Sequence, residues 1–485
     1  MTSHEQIPTL PLDEAAKAQL IHAAGVLTTL GRVFEQAGHE LSLVGGPVRD
    51  ALLGRFAKAE ADLDFTTDAH PDAVLALLES VAETTWDVGI RFGTIGARVG
   101  GREVEITTYR AEAYDPESRK PQVDFGTRLD EDLVRRDFTI NAMAIRLPSL
   151  ELVDLFGGRA DLAAGVIRTP GTPHDSFSDD PLRMMRAARF SAQLGFEVAP
   201  EVVEAMTAQA ERLSIVSPER VREELMKIVM SPAPRRGLTL LVDTGLSEYV
   251  LPELPLLRLE ADEHHHHKDV YEHTLTVLEQ AMVLEAAHEP ASGPDPVLRL
   301  AALLHDIGKP RTRRFEDDGR VSFHHHEVVG ARMTKKRMQA LRFPNDLIDD
   351  VSRLVELHLR FHGYGSGEWT DSAVRRYVRD AGPLLTRLHK LTRADSTTRN
   401  RRRAMALQKS YDSLEQRIAE LAEQEELASM RPDLDGTEIM RILDIPPGRE
   451  VGEAYQFLLD LRLDRGPMDP AMAEAALRAW WAARG

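Results

Sequence analysis

Hydrophobic and polar residues follow two different periods in the two parts of the chain. Between residues 40 and 155, short apolar runs such as Leu41–Val44 and the alternating segment Val104–Tyr109 end at glycine or polar residues, which is typical of strands. An amphipathic helix is expected before them, over Glu14–Ala37. From Pro181 onward almost every apolar pattern has helical spacing. The pattern therefore predicts a mixed α/β region followed by a helical body.

The composition narrows the possible classes of protein. The chain has 485 residues, with 60 Lys and Arg against 78 Asp and Glu and a net charge of −18. At roughly 150 residues per domain this length predicts about three domains. The acidic balance excludes a uniform basic coat for nucleic acid but not a local basic surface. There is no cysteine, so any metal must be held by carboxylates and histidines. We find no secretion signal and no run of about 18 apolar residues, and we expect a cytoplasmic protein without a membrane span.

The first candidate site combines a glycine pair with a carboxylate pair. Gly45 and Gly46 follow the first apolar run, Arg49 lies one turn later, and Asp62 and Asp64 come next. In an extended segment residues i and i+2 point to the same face, so the two aspartates can converge on Mg²⁺, which prefers oxygen ligands. Glycines let a backbone approach a triphosphate, and an arginine supplies charge to it. Each pair alone also occurs in ordinary turns and surface strands, but their order and spacing favour a phosphate-transfer site.

Five motifs in order resemble the class II tRNA nucleotidyltransferases of the polymerase-β-like superfamily. Together they span residues 40–230, and coincidence in a single motif does not account for the series. The first joins the glycine and aspartate pairs. The next four resemble, in turn, the ribose- and phosphate-binding motif, the hinge, the base-selecting helix and the helix motif after it. The segments are GGPVRDALLGR with ADLDFTTDAHP, Arg135–Ala144, Asp154–Arg168, Asp179–Phe190 and Glu219–Leu225.

This resemblance implies an activity, the stepwise addition of C, C and A to the 3′ end of tRNA. CTP and ATP would be the substrates and pyrophosphate the leaving product, without a nucleic-acid template. The resemblance also implies two-metal phosphoryl transfer, with Asp62 and Asp64 as catalytic residues and Mg²⁺ ligands. Glu105 stands where the superfamily can keep a third carboxylate, and we expect it to be structural. The nucleotide-binding residues that the resemblance implies are Gly46, Arg49, Arg136, Asp137, Asp180, Arg183, Arg186 and Arg189.

The base-selecting segment also has a physical interpretation of its own. Its aspartate and three arginines recur every three residues, from Asp180 to Arg189, which places them on one helical face or a slowly rotating stripe. A solvated charged face is the ordinary explanation of such a pattern. A carboxylate acceptor beside a guanidinium donor can also pair with the edge of a base. In the resembled family an Asp–Arg pair, here Asp180 and Arg183, selects CTP or ATP and rejects UTP and GTP.

The polar stretch Arg110–Asp124 contains two prolines and has no hydrophobic period, so we expect a mobile loop. It resembles the flexible loop that in the family accompanies the ability to add the terminal A. Because the loop has its full length here, the resemblance favours complete CCA addition.

A second candidate site lies in a histidine-rich segment that begins at His264–His267 and extends to Asp395. The order of its histidines and aspartates resembles the HD phosphohydrolase superfamily, and such ligands favour Ni, Mn, Fe or Zn ions. A domain of this kind can hydrolyse a phosphoester, for instance a 2′,3′-cyclic phosphate at an RNA end, or serve as an inactive scaffold. The metal ligands that this resemblance implies are His273, His305, Asp306 and Asp395, with His326 and His358 in the same constellation.

The expected fold is α+β, with a polymerase-β-like nucleotidyltransferase head that has a small mixed sheet, followed by an all-helical body that includes an HD domain. Cations for RNA are expected within residues 375–403, which carry ten Lys and Arg against two acids. A surface network of salt bridges explains the same pattern. The predicted domains are an N-terminal helix at 1–40, the head at 41–168, a helical base-selecting and RNA-binding neck at 169–260, the HD domain at 261–400 and a helical tail at 401–485.

Other functions stay open on the sequence alone. A poly(A) polymerase shares the core motifs, and so does an enzyme that adds only the terminal A to tRNA. A metal-dependent phosphohydrolase acting on RNA ends, with a head that merely binds RNA, is an alternative of a different class, as is a non-catalytic RNA-binding module. Regulatory uridylyltransferases also join such a head to an HD domain, but they lack the RRDFTIN motif of residues 135–141.

Overall fold

The computed structural model divides into two compact units, Met1–Val250 and Leu251–Gly485. The first contains one large sheet together with helices, and the second is built almost entirely from helices. The predicted α+β class, a head with a mixed sheet and a helical body, is confirmed. The residues that the structure describes are 7–56, 62–87, 89–111, 124–258, 269–288, 293–317, 321–361, 370–396, 401–425 and 431–484.

A mixed β-sheet and two short ladders make up the strands of the first unit. These strands are β1 (Leu10–Pro11), β2 (Leu41–Val44), β3 (Leu63–Thr67), β4 (Thr84–Trp86), β5 (Thr94–Val99), β6 (Arg102–Thr108), β7 (Arg110–Ala111), β8 (Asp124–Phe125), β9 (Met143–Leu147), β10 (Glu151–Asp154), β11 (Val166–Ile167) and β12 (Glu197–Val198). The large sheet has the order β1-β10-β9-β2-β3-β6-β5-β4. Its neighbouring strands are antiparallel except β3 and β6, which run parallel. The ladders are β7 with β8 and β11 with β12.

Helices of the first unit precede the sheet, connect its strands and follow it along the chain. They are α1 (Glu14–Gln19), α2 (Ala24–Gln36), α3 (Gly46–Leu52), α4 (Pro71–Leu78), α5 (Leu129–Val134), α6 (Gly158–Ala164), α7 (Pro173–Asp179), α8 (Leu182–Leu194), α9 (Pro200–Gln209), α10 (Pro218–Val229), α11 (Pro234–Asp243) and α12 (Ser247–Val250). Short 3-10 helices cover Leu20–Ala23, Ile90–Phe92, Thr139–Asn141 and Ala210–Ile215. The N-terminus of helix α10 is capped, because the hydroxyl of Ser217 accepts from the backbone N–H of Arg220 and proline occupies the first helical position.

Burial explains why the apolar runs of the head became strands. Strand β2 is buried at all four residues, which is why its sequence is a continuous apolar run. Strand β6 alternates, with Val104 and Ile106 buried and Glu105 between them exposed. Helix α2 packs closely on the sheet at Gly31, where a Cβ would lie 2.9 Å from Cβ of Leu147. The head core is therefore formed between the sheet and an amphipathic helix, as the hydrophobic pattern predicts.

Over its described residues, the second unit consists of helices with one short ladder. They are α13 (Val270–His288), α14 (Pro296–Leu304), α15 (Lys309–Thr312), α16 (His326–Ala340), α17 (Asn345–Leu357), α18 (Asp371–Ala381), α19 (Leu385–Asp395), α20 (Arg401–Glu425), α21 (Gly436–Leu443), α22 (Arg449–Arg465) and α23 (Pro470–Ala482). The ladder pairs β13 (Arg314–Phe315) with β14 (Val321–Ser322), and 3-10 helices cover Pro255–Leu257 and Gly382–Leu384.

Two packing centres stabilise the second unit. Helix α14 is buried at every residue from Val297 to Leu304, and its one arginine, Arg299, donates to Glu285 of α13 at 3.0 Å. This helix is therefore central to the group of helices that surrounds the histidines. A separate apolar cluster, formed among α21, α22 and α23, includes Ile439, Leu458 and Leu477.

Some predictions fall on residues that the structure does not describe. Of the loop Arg110–Asp124, the structure describes the two ends, which lie in β7 and β8. The run His264–His267 and residues 397–400 of the basic stretch lie outside the described residues. Within the ranges given above, no helix combines the length and the apolar character needed to cross a bilayer.

Candidate functional site

The two aspartates predicted to bind Mg²⁺ lie at the start of strand β3. Asp62 precedes the strand and is exposed, and Asp64 is the second residue of the strand and is partly buried. Because β3 and β6 run parallel in this register, Asp64 lies directly opposite Glu105, which is exposed. The structure therefore brings three carboxylates to one place on the sheet.

The carboxylate of Asp64 is held where its negative charge is unfavourable. Burial, opposed by Arg136 and assisted by Glu105 and Asp62, raises the pKa of Asp64 to about 6. Oxygen ligands crowded in this way suit a hard divalent cation, which would offset their mutual repulsion. The donor set therefore fits the metal that the sequence predicts.

The glycine turn after β2 comes close to the same aspartate. Gly45 has a φ of 72°, in the left-handed region that favours glycine. A Cβ on Gly45 would lie 3.5 Å from Nη1 of Arg136 and 3.8 Å from Oδ2 of Asp64. Gly46 begins helix α3, and a Cβ on it would lie 3.7 Å from Nη2 of Arg49. Asp64 and both arginines predicted to bind the triphosphate thus surround this turn.

Arg136 is fixed by a carboxylate that the sequence interpretation did not single out. Its Nη2 donates to Oδ2 of Asp132 at 3.1 Å, and the hydroxyl of Thr66 donates to the same oxygen at 3.2 Å. Asp132 is buried, and Thr66 lies on β3, two residues after Asp64. The guanidinium of Arg136 is therefore tied to the strand that carries the metal-binding aspartate.

Asp137 connects the phosphate-binding turn to helix α8. Its Oδ1 accepts from the backbone N–H of Phe138 at 2.8 Å and from Nδ2 of Asn141 at 3.0 Å, and its Oδ2 lies 2.7 Å from Nη2 of Arg186. Burial opposes ionisation, but the charge of Arg186 and these hydrogen bonds lower the pKa of Asp137. Asn141 also accepts from Nη1 of Arg49 at 2.9 Å. A continuous chain of contacts therefore links Arg49, Asn141, Asp137 and Arg186.

The two residues predicted to read the base bond to different partners. Asp180 lies just before α8, and its Oδ2 accepts from Nη2 of Arg220 at 3.1 Å. Arg183 lies in the first turn of α8 and donates to the hydroxyl of Ser176 at 2.9 Å and to the carbonyl oxygen of Arg135. The acceptor and the donor are thus each held in place by their own partner.

Arg189, which is predicted to meet the nucleotide, pairs with a buried carboxylate. Its Nε lies 2.7 Å from Oε2 of Glu224 on α10, and the two side chains are 13% and 7% exposed. Its guanidinium also lies over the ring of Phe190, 4.1 Å from the centroid, and Arg49 approaches the same ring at 5.2 Å. Burial lowers the pKa of Arg189, and the opposite effect of the Glu224 charge is too small to cancel this. These contacts bind α8 to α10.

The histidines and aspartates predicted to bind a second metal come together in the second unit. Nε2 of His273 lies 2.9 Å from Oδ1 of Asp395 and 3.7 Å from Oδ2 of Asp306. Nε2 of His305 lies 3.2 Å from Oδ2 of Asp306 and 3.5 Å from Oδ1 of Asp395. These residues come from α13, from the turn after α14 and from the last position of α19, so three separate helices build the cluster.

His326 and His358 form a second group around Asp306. Nε2 of His326 lies 3.3 Å from Oδ1 of Asp306, and the rings of the two histidines have centroids 5.3 Å apart. Their Nδ1 atoms lie 2.8 and 2.6 Å from the carbonyl oxygens of Phe323 and Val355, respectively. Nε2 of His358 is buried without a hydrogen-bond partner among the described residues. Imidazoles held in this way suit a divalent metal, and the groups His273–His305–Asp306 and Asp306–His326–His358 each have the spacing to hold one.

The pKa values of two histidines in this cluster shift in opposite directions. Burial would lower the pKa of His305, but Asp306 and Asp395 raise it to about 10. Burial raises the pKa of Asp306, yet His305 and Lys309 hold it well below its usual range, and Lys309 donates to it at 2.7 Å. Burial and His305 lower the pKa of His358 to about 3, so that it stays neutral, which is the form that ligates metals.

The basic stretch 375–403 forms salt bridges over the part that the structure describes. Arg376 pairs with Asp464, and Nη1 of Arg379 lies 3.6 Å from Asp460. Similar pairs are Arg375–Asp371, Arg387–Asp295, Arg393–Asp412 and Arg393–Glu415. For these arginines the salt-bridge network is therefore what the structure favours over a free basic surface.

The sequence interpretation assigned no partner role to Asp132, Arg220 or Glu224, although the last two lie in the motif Glu219–Leu225. Arg220 and Glu224 are four residues apart on α10, and this spacing, which places their charged side chains on one helical face, was the available signal. Asp132 lies in α5, but Arg136 follows the end of that helix, so helical spacing gives no signal for their pairing.

Comparison with known families gives three matches along the chain. A model described as the poly A polymerase head domain matches residues 41–168, a model of the probable RNA and SrmB-binding site of polymerase A matches 195–257, and a model of the HD domain matches 270–400. The residues singled out above as binding a nucleotide or a metal lie within or between these matches.

Two curated relatives show how far the similarity extends. The A-adding tRNA nucleotidyltransferase of Deinococcus radiodurans is 34% identical over 447 residues, which are 90% of this chain and 95% of that protein. The CCA-adding enzyme of Levilactobacillus brevis is 45% identical over 219 residues, which are 45% of this chain and 53% of that enzyme. The first match spans both units, whereas the second covers about half of either protein.

Solved structures with the same fold cover nearly all of the chain. The Bacillus stearothermophilus CCA-adding enzyme in complex with CTP has a TM-score of 0.66 and 25% identity, over 96% of this chain and 98% of its own. The Thermotoga maritima CCA-adding enzyme complexed with tRNA has a TM-score of 0.59 and 19% identity, over 97% of this chain and 99% of its own, and supports the fold alone.

Proposed function

The chain belongs to the class II tRNA nucleotidyltransferase and poly(A) polymerase family, and from this premise we propose that it adds C, C and A stepwise to the 3′ end of tRNA. CTP and ATP are the substrates, pyrophosphate is released, and no nucleic acid serves as template. The observation that carries the proposal is the chain of contacts from Arg49 through Asn141 and Asp137 to Arg186. It connects the turn beside Asp64 to α8, the helix that carries Arg183.

In this proposal Asp62 and Asp64 are the catalytic residues and hold Mg²⁺. When bound, the metal ions supply charge that activates the tRNA 3′-hydroxyl and stabilises the departing pyrophosphate. Gly46, Arg49 and Arg136 bind the triphosphate, since both arginines lie beside a turn without side chains and Arg136 is anchored by a buried carboxylate.

The remaining residues proposed for the nucleotide hold its base and its position. Asp180 accepts from the base and Arg183 donates to it. Asp137, Arg186 and Arg189 contact the nucleotide as well, and their ion pairs also keep α8 in place against the head and α10. We further propose that the protein acts in the cytoplasm, since its proposed substrate is tRNA.

An enzyme restricted to the terminal A is the second candidate. The relative that aligns over 90% of this chain is an A-adding tRNA nucleotidyltransferase, which is the observation in its favour. The relatives that are 41–45% identical are CCA-adding enzymes, although they align over about half of the chain. A poly(A) polymerase is a third candidate, since the head model carries that description.

Stepwise extension of tRNA transcripts distinguishes these candidates. Transcripts ending at the discriminator base, at C and at CC are supplied with labelled CTP or ATP and Mg²⁺, beside a control in which Asp62→Ala and Asp64→Ala are combined. Addition of C, C and one A followed by a stop supports the proposal. Extension of only the CC-ended transcript moves the protein to the A-adding class, and long A tails move it to the poly(A) class. Extension by the control variant would contradict the assigned roles of the aspartates.

For the second unit we propose a metal-dependent phosphohydrolase that acts on RNA ends. Its ligands are His273, His305, Asp306 and Asp395, with Ni, Mn, Fe or Zn as the metal, and the support is the buried cluster of imidazoles and carboxylates. The test is hydrolysis of a 2′,3′-cyclic phosphate by the full chain loaded with each metal. Activity that is lost in the His305→Ala, Asp306→Ala variant supports the proposal, and equal activity in both proteins refutes it.

A further inference from the structure

The hairpin formed by β13 and β14 is joined at both ends to the cluster of histidines and aspartates. Before the hairpin, Lys309 of α15 donates to Oδ2 of Asp306 at 2.7 Å. After it, Nδ1 of His326 lies 2.8 Å from the carbonyl oxygen of Phe323. Nζ of Lys309 also lies 5.7 Å from the centroid of the Phe323 ring. The hairpin therefore starts and ends beside the proposed metal site.

The two faces of this hairpin differ in chemistry. Arg314 is opposite Ser322 in the ladder, and the hydroxyl of Ser322 donates to Glu316. Successive side chains of a strand point to opposite faces, so these three residues share one face. By the same alternation Arg313 and Phe315 share the other, which we call the aromatic face. The carboxylate of Glu316 thus points away from the aromatic face.

Phe315 offers an accessible ring on the aromatic face. Its side chain is 71% exposed, the highest value among the large apolar residues that the structure describes. The guanidinium carbon of Arg313 lies 4.8 Å from the centroid of this ring. A cation stacked on one side of an aromatic ring leaves the other side for a base. Aromatic rings combined with cations are how proteins bind single-stranded nucleic acid.

Positive charge accompanies the aromatic face along the chain. Lys309, Arg311 and Arg313 alternate with uncharged residues in the five positions from 309 to 313. Arg311 is exposed on α15, and among the described residues no carboxylate forms an ion pair with it. A free cation between Asp306 and Phe315 suits a phosphate backbone that leads toward the cluster.

We propose that the aromatic face of Arg313 and Phe315 binds the unpaired nucleotides that precede the 3′ end of an RNA, while the terminal phosphate lies at the cluster. This rests on the proposed phosphohydrolase function of the second unit, and it makes the substrate an oligonucleotide rather than a mononucleotide. A base stacks on the open side of Phe315, and Arg311 and Arg313 neutralise phosphates. The stack tolerates any sequence, because every base has a π-face.

Binding is tested with the full chain and a fluorescein-labelled pentaribonucleotide that carries a 2′,3′-cyclic phosphate. Fluorescence anisotropy in EDTA gives Kd without hydrolysis. We expect Phe315→Ala to raise Kd about tenfold, because it removes the stack on one base. Phe315→Tyr keeps a ring and is expected to retain the wild-type Kd. Arg314→Ala is the matched control, since it removes an exposed residue of the same strand from the opposite face.

Kinetics separate RNA binding from support of the metal site. With the metal that supports hydrolysis, we expect Phe315→Ala to raise KM for the pentaribonucleotide about tenfold and to leave kcat unchanged. Hydrolysis of 2′,3′-cyclic AMP, which has no preceding nucleotide to stack, is expected to keep the same kcat/KM. The effect of the substitution on the oligonucleotide alone is the signature of the proposed surface.

The inference is wrong if Phe315→Ala binds the oligonucleotide as tightly as the wild type, which would leave the aromatic face to a protein partner. It is also wrong if Arg314→Ala weakens binding as much as Phe315→Ala, since the face would then have no part in the effect. An equal loss of kcat/KM for 2′,3′-cyclic AMP would make Phe315 a support of the metal site. Absence of hydrolysis by the wild type with every metal would contradict the proposed phosphohydrolase instead, and Kd in EDTA would still decide whether the aromatic face binds RNA.

Discussion

Replacement of Glu224 by glutamine is expected to destabilise the first unit by about 3 kcal/mol. The substitution keeps the size of the side chain but removes the charge that lies 2.7 Å from Arg189, and both side chains are nearly buried, at 7% and 13% exposure. Removal of one partner of a buried pair leaves the other charge uncompensated, at a cost of roughly 3–5 kcal/mol. The lower figure applies because Arg189 keeps its position over the ring of Phe190. The pair therefore matters for the attachment of α8 to α10.

Differential scanning calorimetry of the full chain measures this loss. The transition of the first unit is identified as the one that CTP shifts, because a ligand that binds the folded state raises its melting temperature. For a unit of this size about 3 kcal/mol corresponds to a fall in Tm of roughly 6–12 °C. Lys227→Ala is the control, since Lys227 lies 3.4 Å from the same carboxylate but is half exposed. An exposed pair of that kind contributes about 0–1 kcal/mol.

A double variant separates the charge effect from packing. Arg189→Met combined with Glu224→Leu removes both charges, and we expect it to recover most of the lost stability, because apolar residues of similar volume replace a buried ion pair at little cost. A Glu224→Gln protein whose Tm lies within about 2 °C of the wild-type value would refute the reasoning, since the pair would then contribute no more than an exposed one.

Three further predictions concern the metal sites and the basic stretch. Asp64→Asn is expected to lower kcat for nucleotide addition by roughly 10³-fold or more. Its Tm in EDTA is expected to stay the same or rise, since the substitution removes a charge that is disfavoured by burial and by the neighbouring carboxylates; a lower Tm would contradict this. Gly308→Ala is expected to reduce the metal bound per chain, measured by mass spectrometry, because its Cβ would lie 2.2 Å from a carbonyl oxygen at the start of α16. Gly452→Ala, with nothing within 4 Å of its Cβ, should leave the metal content unchanged. The double variant Arg376→Ala, Arg379→Ala is expected to leave the salt dependence of tRNA binding unaltered, since both arginines form salt bridges with aspartates. A fall of about two in the magnitude of the slope of log K against log salt would instead identify them as phosphate contacts.

The sequence predicted those features whose cause is local. The apolar run Leu41–Val44 is buried at every residue, so its composition alone indicated a strand and placed the glycine turn at its end. The family, the enzyme class and the head with a helical body are confirmed. The domain boundaries and the roles of the individual site residues stay predictions.

The partners of the arginines could not be predicted, because they depend on how distant helices pack. Arg189 and Glu224 lie 35 positions apart, and their pairing follows from the packing of α8 against α10. The basic stretch shows the same limit. Its charges fit an RNA surface or a salt-bridge network equally well, and the acids that decide between them, Asp460 and Asp464, are more than eighty residues away from their arginines.

The contacts through Asp137 also limit how homologues of this protein can recombine. Arg49, Asn141 and Asp137 belong to one stretch of chain, and Arg186 follows 45 residues after Asn141. A crossover between those two positions exchanges one end of the contact chain without the other and leaves a buried carboxylate facing an unmatched helix. Residue 186 lies inside α8, and Arg189 of the same helix pairs with Glu224 of α10. Chimaeras of parents that differ at these contacts are therefore expected to be functional when residues 49–229 come from a single parent.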